Sequence, residues 1–338
     1  MTSRPILPYY HPTTVIIVDD NDLFLHTLDL RMPAEMVYAL FHDPRKALLR
    51  VNQRMSLAPI PVRCMAIAAD PRDAHDSTIR LELGLIEEEV KNTERFSRTS
   101  VVVVDFAMPE MNGLEFCRSI EDPTVKKILM TGVADERLAV KAFNEGLIDR
   151  FLPKHGGGAL DRVVAHAQEL QKSYFVDQQR AFAESLSLTP PHFLTDQVVT
   201  GVFETLYARH HIVEHYLVAD PPGLLMLSAT GSLYRWIVLS ESDALEQAEF
   251  ARRLAAPQHV IDALAKRRCV AYFFDDLDAL RDDPADWSDY LHRATVVNGS
   301  ADRWITALVP NPPIDIDFDP DQSSLQSYLD RADHAVMS

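Results

Sequence analysis

Cysteine is scarce in this sequence. Cys64, Cys117 and Cys269 are the three in 338 residues. Odd in number and far apart, they argue against a disulfide framework and a cysteine zinc site, and they fit a reducing compartment. Long hydrophobic runs are missing as well: no apolar stretch reaches the ~18 residues that a membrane-spanning helix needs. The opening MTSRPILPYYHP lacks the basic segment, apolar core and cleavage site of an export signal, so a cytoplasmic location without a membrane partner is expected. Positive charge is the third shortage. The net charge is −17, and from Pro190 to the end 11 Lys and Arg stand against 23 Asp and Glu, a net of −12. A nucleic-acid interface needs a basic face to displace counterions from phosphates. Nucleic acid is therefore a disfavoured partner, with Lys266-Arg267-Arg268 as a local basic exception.

The remaining composition, 47% apolar and 25% charged, is that of a globular chain, and its length suits two domains. Val15–Val18 is a β-branched run ending in Asp19-Asp20 and reads as a buried parallel strand. A helix is expected from about Asp22 to Arg31, a strand at Met36–Phe41, and a helix that Asp43 caps and Pro44 opens. Val101–Val104 is the strongest strand signal and ends at Asp105. A helix at Leu114–Ile120, a strand at Lys127–Met130, a helix at Asp135–Asn144 and a short strand at Asp149–Leu152 follow. Five strands alternating with helices imply a doubly wound α/β sheet. Functional residues of such sheets collect at the C-terminal strand ends, where Asp19, Asp20, Asp105, Thr131 and Lys154 all fall.

Those five side chains have the chemistry of phosphoryl transfer to a carboxylate. Asp105 would be the nucleophile, Asp19 and Asp20 would hold Mg2+, and Thr131 and Lys154 would contact the phosphoryl oxygens. Three clustered carboxylates repel one another unless a cation offsets them. VIIVDDND at 15–22, VVVVDFAMPEMNGLEF at 101–116, ILMTG at 128–132 and FLPK at 151–154 together resemble the receiver domain of bacterial response regulators. The resemblance covers about residues 12–157 and implies a flavodoxin-like five-stranded sheet in the order 2-1-3-4-5. It implies that Asp105 takes phosphate from a sensor histidine kinase or phosphotransfer protein, and that the Ala107 carbonyl completes the Mg2+ site. Phe151 would turn inward as Thr131 moves toward the phosphate, a population shift that alters a homodimer or the output domain. By this reading the chain is a phosphoacceptor signalling protein rather than an enzyme.

Two departures from receivers stand out. Asp20 and Asp105 are 85 positions apart, which implies an insertion at about 55–98. Within it Ile79, Leu83, Ile86 and Val90 form a helical stripe, expected to pack on the receiver edge or to serve as a partner surface. Ala107, and Val133 two residues after Thr131, are apolar where receivers often carry polar side chains, so slow self-dephosphorylation is expected.

A long helix is predicted over 158–188, with a heptad-like stripe of Val163, Ala167, Leu170 and Tyr174 continued by Phe182. Either it packs on its own domains or it forms a signalling or dimer seam. Thr189-Pro190-Pro191 ends it. The region 192–338 reads as an α+β output domain, with strands at His215–Ala219, Leu224–Ser228 and Leu233–Leu239. Helices are expected at Ser242–Ala255, Pro257–Arg267 and Ser323–Ala335, and strands at Cys269–Phe274 and Trp304–Leu308. No cyclic-dinucleotide, ATPase phosphate-loop, HD or helix-turn-helix signature appears there. His210, His211 and His215, the Phe274-Asp275-Asp276 run, and Trp236, Trp287 and Trp304 are read as structural. An output that binds a protein or small ligand is the leading expectation. A DNA-binding output of unrecognised fold and an enzymatic output of unrecognised type are the alternatives.

Overall fold

The computed structural model describes residues 5–58, 60, 63, 65–69, 77–81, 86, 88–132, 136–154, 156–186, 191–273, 287–313 and 318–332. In chain order it forms β1 (Tyr9–Tyr10), β2 (Thr14–Val18), α1 (Asp22–Asp29), β3 (Tyr38–Phe41), α2 (Pro44–Val51), β4 (Met65–Ala69) and β5 (Ser77–Leu81). Next come β6 (Thr99–Asp105), α3 (Gly113–Arg118), β7 (Lys126–Thr131), α4 (Glu136–Asn144), β8 (Arg150–Pro153) and α5 (Ala159–Leu186). The rest comprises α6 (Gln197–Arg209), β9 (Ile212–Val218), β10 (Gly223–Ser228), β11 (Leu233–Leu239), α7 (Glu241–Arg253) and α8 (Gln258–Ala265). It closes with β12 (Cys269–Ala271), β13 (Leu291–Arg293), β14 (Thr295–Asn298), β15 (Arg303–Pro310) and α9 (Leu325–Ala332).

The chain divides into two compact units. One comprises His11–Pro59, Thr93–Phe182 and Leu325–Ser338; the other comprises Met1–Tyr10, Ile60–Asn92 and Ala183–Ser324. The insertion and the N-terminal arm therefore group with the acidic C-terminal half. Leu325–Ser338, expected in the output domain, groups with the first unit.

The first unit is a parallel sheet in the order β3-β2-β6-β7-β8, the expected 2-1-3-4-5 arrangement. Val101 to Val104 are each 0% exposed, since both faces of a parallel sheet are covered. Burying one such side chain stabilises by about 1.5–3 kcal/mol. Val102, Val104 and Leu129 pack with Phe41, Ala47, Phe116 and Ala139 on one face. On the other, Val15, Ile17, Val101 and Val103 pack with Leu28, Val163, Ala167 and Leu170. The α5 stripe is thus spent on its own sheet as far as Leu170, and Tyr174 beyond it is also buried. Phe182's side chain lies outside the described residues. α9 belongs to the same unit: Leu325 is fully buried, the Tyr328 hydroxyl is 2.9 Å from Ser97 Oγ, and its ring lies 5.5 Å from Phe96.

The helix expected through Ile79 is not there. Ser77–Leu81 is an extended strand paired antiparallel with Met65–Ala69, Ile67 opposite Ile79. Backbone pairing with a second strand overrides a weak 3.6-residue period. Glu88–Lys91 is a short 3-10 turn, and Leu83 lies outside the described residues.

The second unit is built on an antiparallel sheet in the order β1-β9-β10-β11-β15-β14. One face packs Phe193, Phe203, Trp236 and Trp304; the other packs Ile237, Leu239, Ala244 and Ile305. Trp287 is buried in a third cluster with Ala251 and Leu264, so all three tryptophans are core residues. Gly223 has no substitute at its position, because a Cβ there would come within 2.0 Å of the Trp236 carbonyl oxygen. The N-terminal arm supplies the edge strand: Tyr9 pairs with Tyr216 and Tyr10 with His215. Leu217 N–H donates to Pro8 O at 2.6 Å, and Ile6 N–H donates to Leu194 O at 2.8 Å.

Candidate functional site

β2 leads into Asp19-Asp20, β6 ends on Asp105, β7 ends on Thr131, and β8 is followed by Lys154. Register aligns them. Val18 pairs with Val104, so Asp19 and Asp105 come side by side one residue further on, and Thr131 pairs with Pro153. Asp19, Asp105 and Thr131 are buried at 0%, 4% and 3% exposure, while Asp20 is exposed.

Lys154 joins the two buried carboxylates. Its ammonium donates to Asp19 Oδ1 at 3.0 Å and lies 3.0 Å from Asp105 Oδ2. Its own backbone N–H donates to Thr131 O at 3.0 Å, which fixes the lysine at the strand end. Burial pushes the Asp19 carboxyl above the usual carboxylate range, although Lys154 and the Asn21 N–H at 2.9 Å both oppose it. Burial would lower the Lys154 value, but the hydrogen bonds and charge of Asp19 and Asp105 hold it above that of an ordinary lysine. The two shifts have different causes: burial dominates at Asp19, whereas at Lys154 the two neighbouring carboxylates outweigh it.

Residues present here suit a hard cation. One oxygen each from Asp19, Asp20 and Asp105 lies within 4.8 Å of the others. Asp19 Oδ2 is buried and, although 2.9 Å from the Lys154 nitrogen, has no hydrogen-bond partner among the described residues. With three carboxylates to one ammonium, the cluster keeps a negative excess and offers the oxygen ligands that a hard divalent cation takes.

The local sequence explains the placement. Asn21 caps α1, its side chain accepting from Phe24 N–H at 3.1 Å, so the helix starts directly beyond the acid pair. Asn112 and Glu115 form a reciprocal capping box at the start of α3. Gly113 lets that helix approach β6, since a Cβ would stand 2.4 Å from the Asp105 carbonyl oxygen. Ala107 is exposed in the loop between β6 and α3. Phe151 is half-buried on β8, its ring edge-on to Phe143 of α4 at 6.2 Å. Val133 lies outside the described residues. Asn21 and Phe24 were not anticipated. An Asn just before an apolar-periodic run is a cap signal that points to the first, but nothing in spacing places the Phe24 ring 5.4 Å from the Lys154 ammonium.

The other candidates separate. His210 closes α6, His215 is on β9, and among the described residues the three histidines form no metal-ligating group. Phe274-Asp275-Asp276 lies outside the described residues. The basic run is largely engaged: Lys266 pairs with Asp262 at 3.3 Å and Arg267 with Glu241 at 2.9 Å. No described helix is long and apolar enough to cross a membrane.

Comparison with known proteins settles the family. The response regulator receiver domain family matches residues 85–164. The structure of the Legionella pneumophila response regulator LqsR is 32% identical, with 99% of this chain and 98% of that one covered at a TM-score of 0.76. The chain belongs to the response regulators. Shorter likenesses are to an uncharacterized protein from Neptuniibacter caesariensis (20% identity, 54% of this chain and 100% of that one, TM-score 0.34) and an adenylate cyclase structure from Rhodopirellula baltica (21%, 53% and 99%, TM-score 0.36). Neither bears on function. No curated protein matches the sequence. As a response regulator the chain takes part in two-component signalling, and the acidic cluster stands where receivers generally bind Mg2+.

Proposed function

We propose that Asp105 is the phosphoacceptor of this response regulator and that the acidic C-terminal half is its output. The receiver is read as residues 12–157 with the 55–98 insertion, α5 as the connection over 158–188, and the output as beginning at about 192. A sensor histidine kinase or phosphotransfer protein supplies the phosphoryl group. An Asp105 carboxylate oxygen attacks phosphorus, the P–N bond to the donor imidazole breaks, and the leaving imidazole takes up a proton. Asp19, Asp20 and Asp105, with the Ala107 carbonyl, would hold Mg2+, which when bound offsets the charge of the carboxylates and the phosphoryl oxygens. Lys154 contacts one phosphoryl oxygen and the Thr131 hydroxyl donates to another, with Phe151 moving as Thr131 does.

The single observation that carries this reading is the Lys154 ammonium shared between buried Asp19 and Asp105. Two buried carboxylates around one lysine, at the ends of β2 and β6, leave a net negative charge that a divalent cation would offset. For the output, the acid excess and the pairing of Lys266 and Arg267 support a module that binds a protein or small ligand. The test is incubation with a phosphoryl donor, with and without Mg2+, followed by intact-mass measurement of wild type and Asp105→Asn. A wild-type chain that gains no phosphoryl group with Mg2+ present would overturn the reading. Sizing the phosphorylated and unphosphorylated chain reads out a homodimer, and a pull-down with both forms reads out the output's partner.

A further inference from the structure

We propose that Phe24 is a positioning residue for Lys154, holding the ammonium over the phosphoacceptor through the face of its ring; this rests on the phosphoacceptor reading above. Lys154 is bounded on one side by Asp19 and Asp105, each within 3.0 Å, and on another by the Phe24 ring centroid at 5.4 Å. Its side chain is only 14% exposed. A ring face attracts an ammonium electrostatically, and more strongly where water is excluded.

The placement is built in at three points. Asn21 starts α1 by accepting from Phe24 N–H, which sets the Phe24 backbone one turn from the acid pair. The ring leans on the sheet-face cluster that contains Leu152 and Val163. It also walls a cavity of about 420 Å³ beside the site, with Asn21, Leu23, Lys154 and Gly156 among the other lining residues. Lys154 lines the same cavity, so the ring borders the open space beside the lysine stem. A lysine has four rotatable bonds and a strongly hydrated head, so its residence over Asp105 depends on what closes the far side. When a phosphoryl group arrives, the ammonium must turn from Asp19 toward a phosphoryl oxygen. The ring offers a surface on which it turns without going out into water.

Phe24 also packs against apolar neighbours, so the test must separate positioning from packing. The chain is phosphorylated with acetyl phosphate and Mg2+: an Asp105 oxygen bonds to phosphorus, the P–O bond to acetate breaks, and acetate leaves. Rates are compared for wild type, Phe24→Met (similar volume, no ring), Phe24→Leu and Phe24→Trp, each alone and combined with Lys154→Ala. Phe24→Met and Phe24→Leu should slow phosphorylation by about three- to tenfold, and Phe24→Trp should restore it. In the Lys154→Ala background the same changes should have no further effect. Equal rates for wild type and Phe24→Met would overturn the inference. So would equal fold losses in both backgrounds, which mark a packing role. Wild type that gains no phosphoryl group would remove the phosphoacceptor reading itself, a distinct result.

Discussion

The ammonium of Lys154 lies 3.0 Å from Asp105 Oδ2 and 2.9 Å from Asp19 Oδ2, between two carboxylates that are both almost wholly buried. One positive charge thus serves two negative ones. The site carries an electrostatic tension that a divalent cation would relieve.

Removing Lys154 should make that tension visible. Lys154→Ala leaves Asp19 and Asp105 without their counter-charge, and breaking a buried pair in this way costs about 3 kcal/mol or more. Thermal melts of the full chain should show a marked loss of stability in EDTA. Mg2+ should recover more stability in the variant than it adds to wild type. Equal Mg2+ effects on the two proteins would count against the acidic cluster as the ion's site.

The phosphorylated state should be long-lived. Neither Ala107 nor Val133 carries a side chain able to orient a water for attack on the phosphoryl group. Ala107→Glu should shorten the lifetime severalfold, as read by following loss of the phosphorylated mass after removal of the donor. A wild-type lifetime of seconds would contradict the expectation.

His215 predicts acid sensitivity in the second unit. Burial lowers its folded value from 6.5 to about 4, against the opposing hydrogen bond with Leu7 O at 2.9 Å. Tyr10 stacks on the ring, and Phe203 and Tyr207 meet it edge-on. Above pH 6.5 the imidazole is neutral whether folded or unfolded and has no effect on pH dependence. As pH falls below 6.5 the unfolded chain takes up a proton that the folded chain refuses, so stability declines until about pH 4. The full loss is about 3 kcal/mol. Denaturant melts of wild type and His215→Phe between pH 8 and pH 4.5 measure this. The variant should be somewhat less stable at pH 8 and should lack this component of the decline; parallel curves would refute the assignment.

Much of the first unit was readable because its signals are local and repeated. Four β-branched or apolar runs each end in a polar residue of the site, and the Asp43 cap with Pro44 marks a helix start between them. The parallel sheet then converts sequence order into register and brings those ends together. What escaped reading depends on distant partners. Ser77–Leu81 becomes a strand only because Met65–Ala69 lies opposite. Tyr9–Tyr10 becomes an edge strand of a sheet whose other members begin some two hundred residues later. α9 returns to the first unit through Leu325 and Tyr328, a choice that its amphipathic pattern alone does not encode. The Phe24 contact with Lys154 likewise joins α1 to the residue after the last strand of its sheet.

The central claim is that Asp105 accepts a phosphoryl group in a site completed by a divalent cation. Intact-mass measurement after incubation with acetyl phosphate and Mg2+ tests it most directly. The account predicts the gain of one phosphoryl group by wild type, little gain in EDTA, and none by Asp105→Asn. An unmodified wild-type chain, or equal modification of Asp105→Asn, would contradict it.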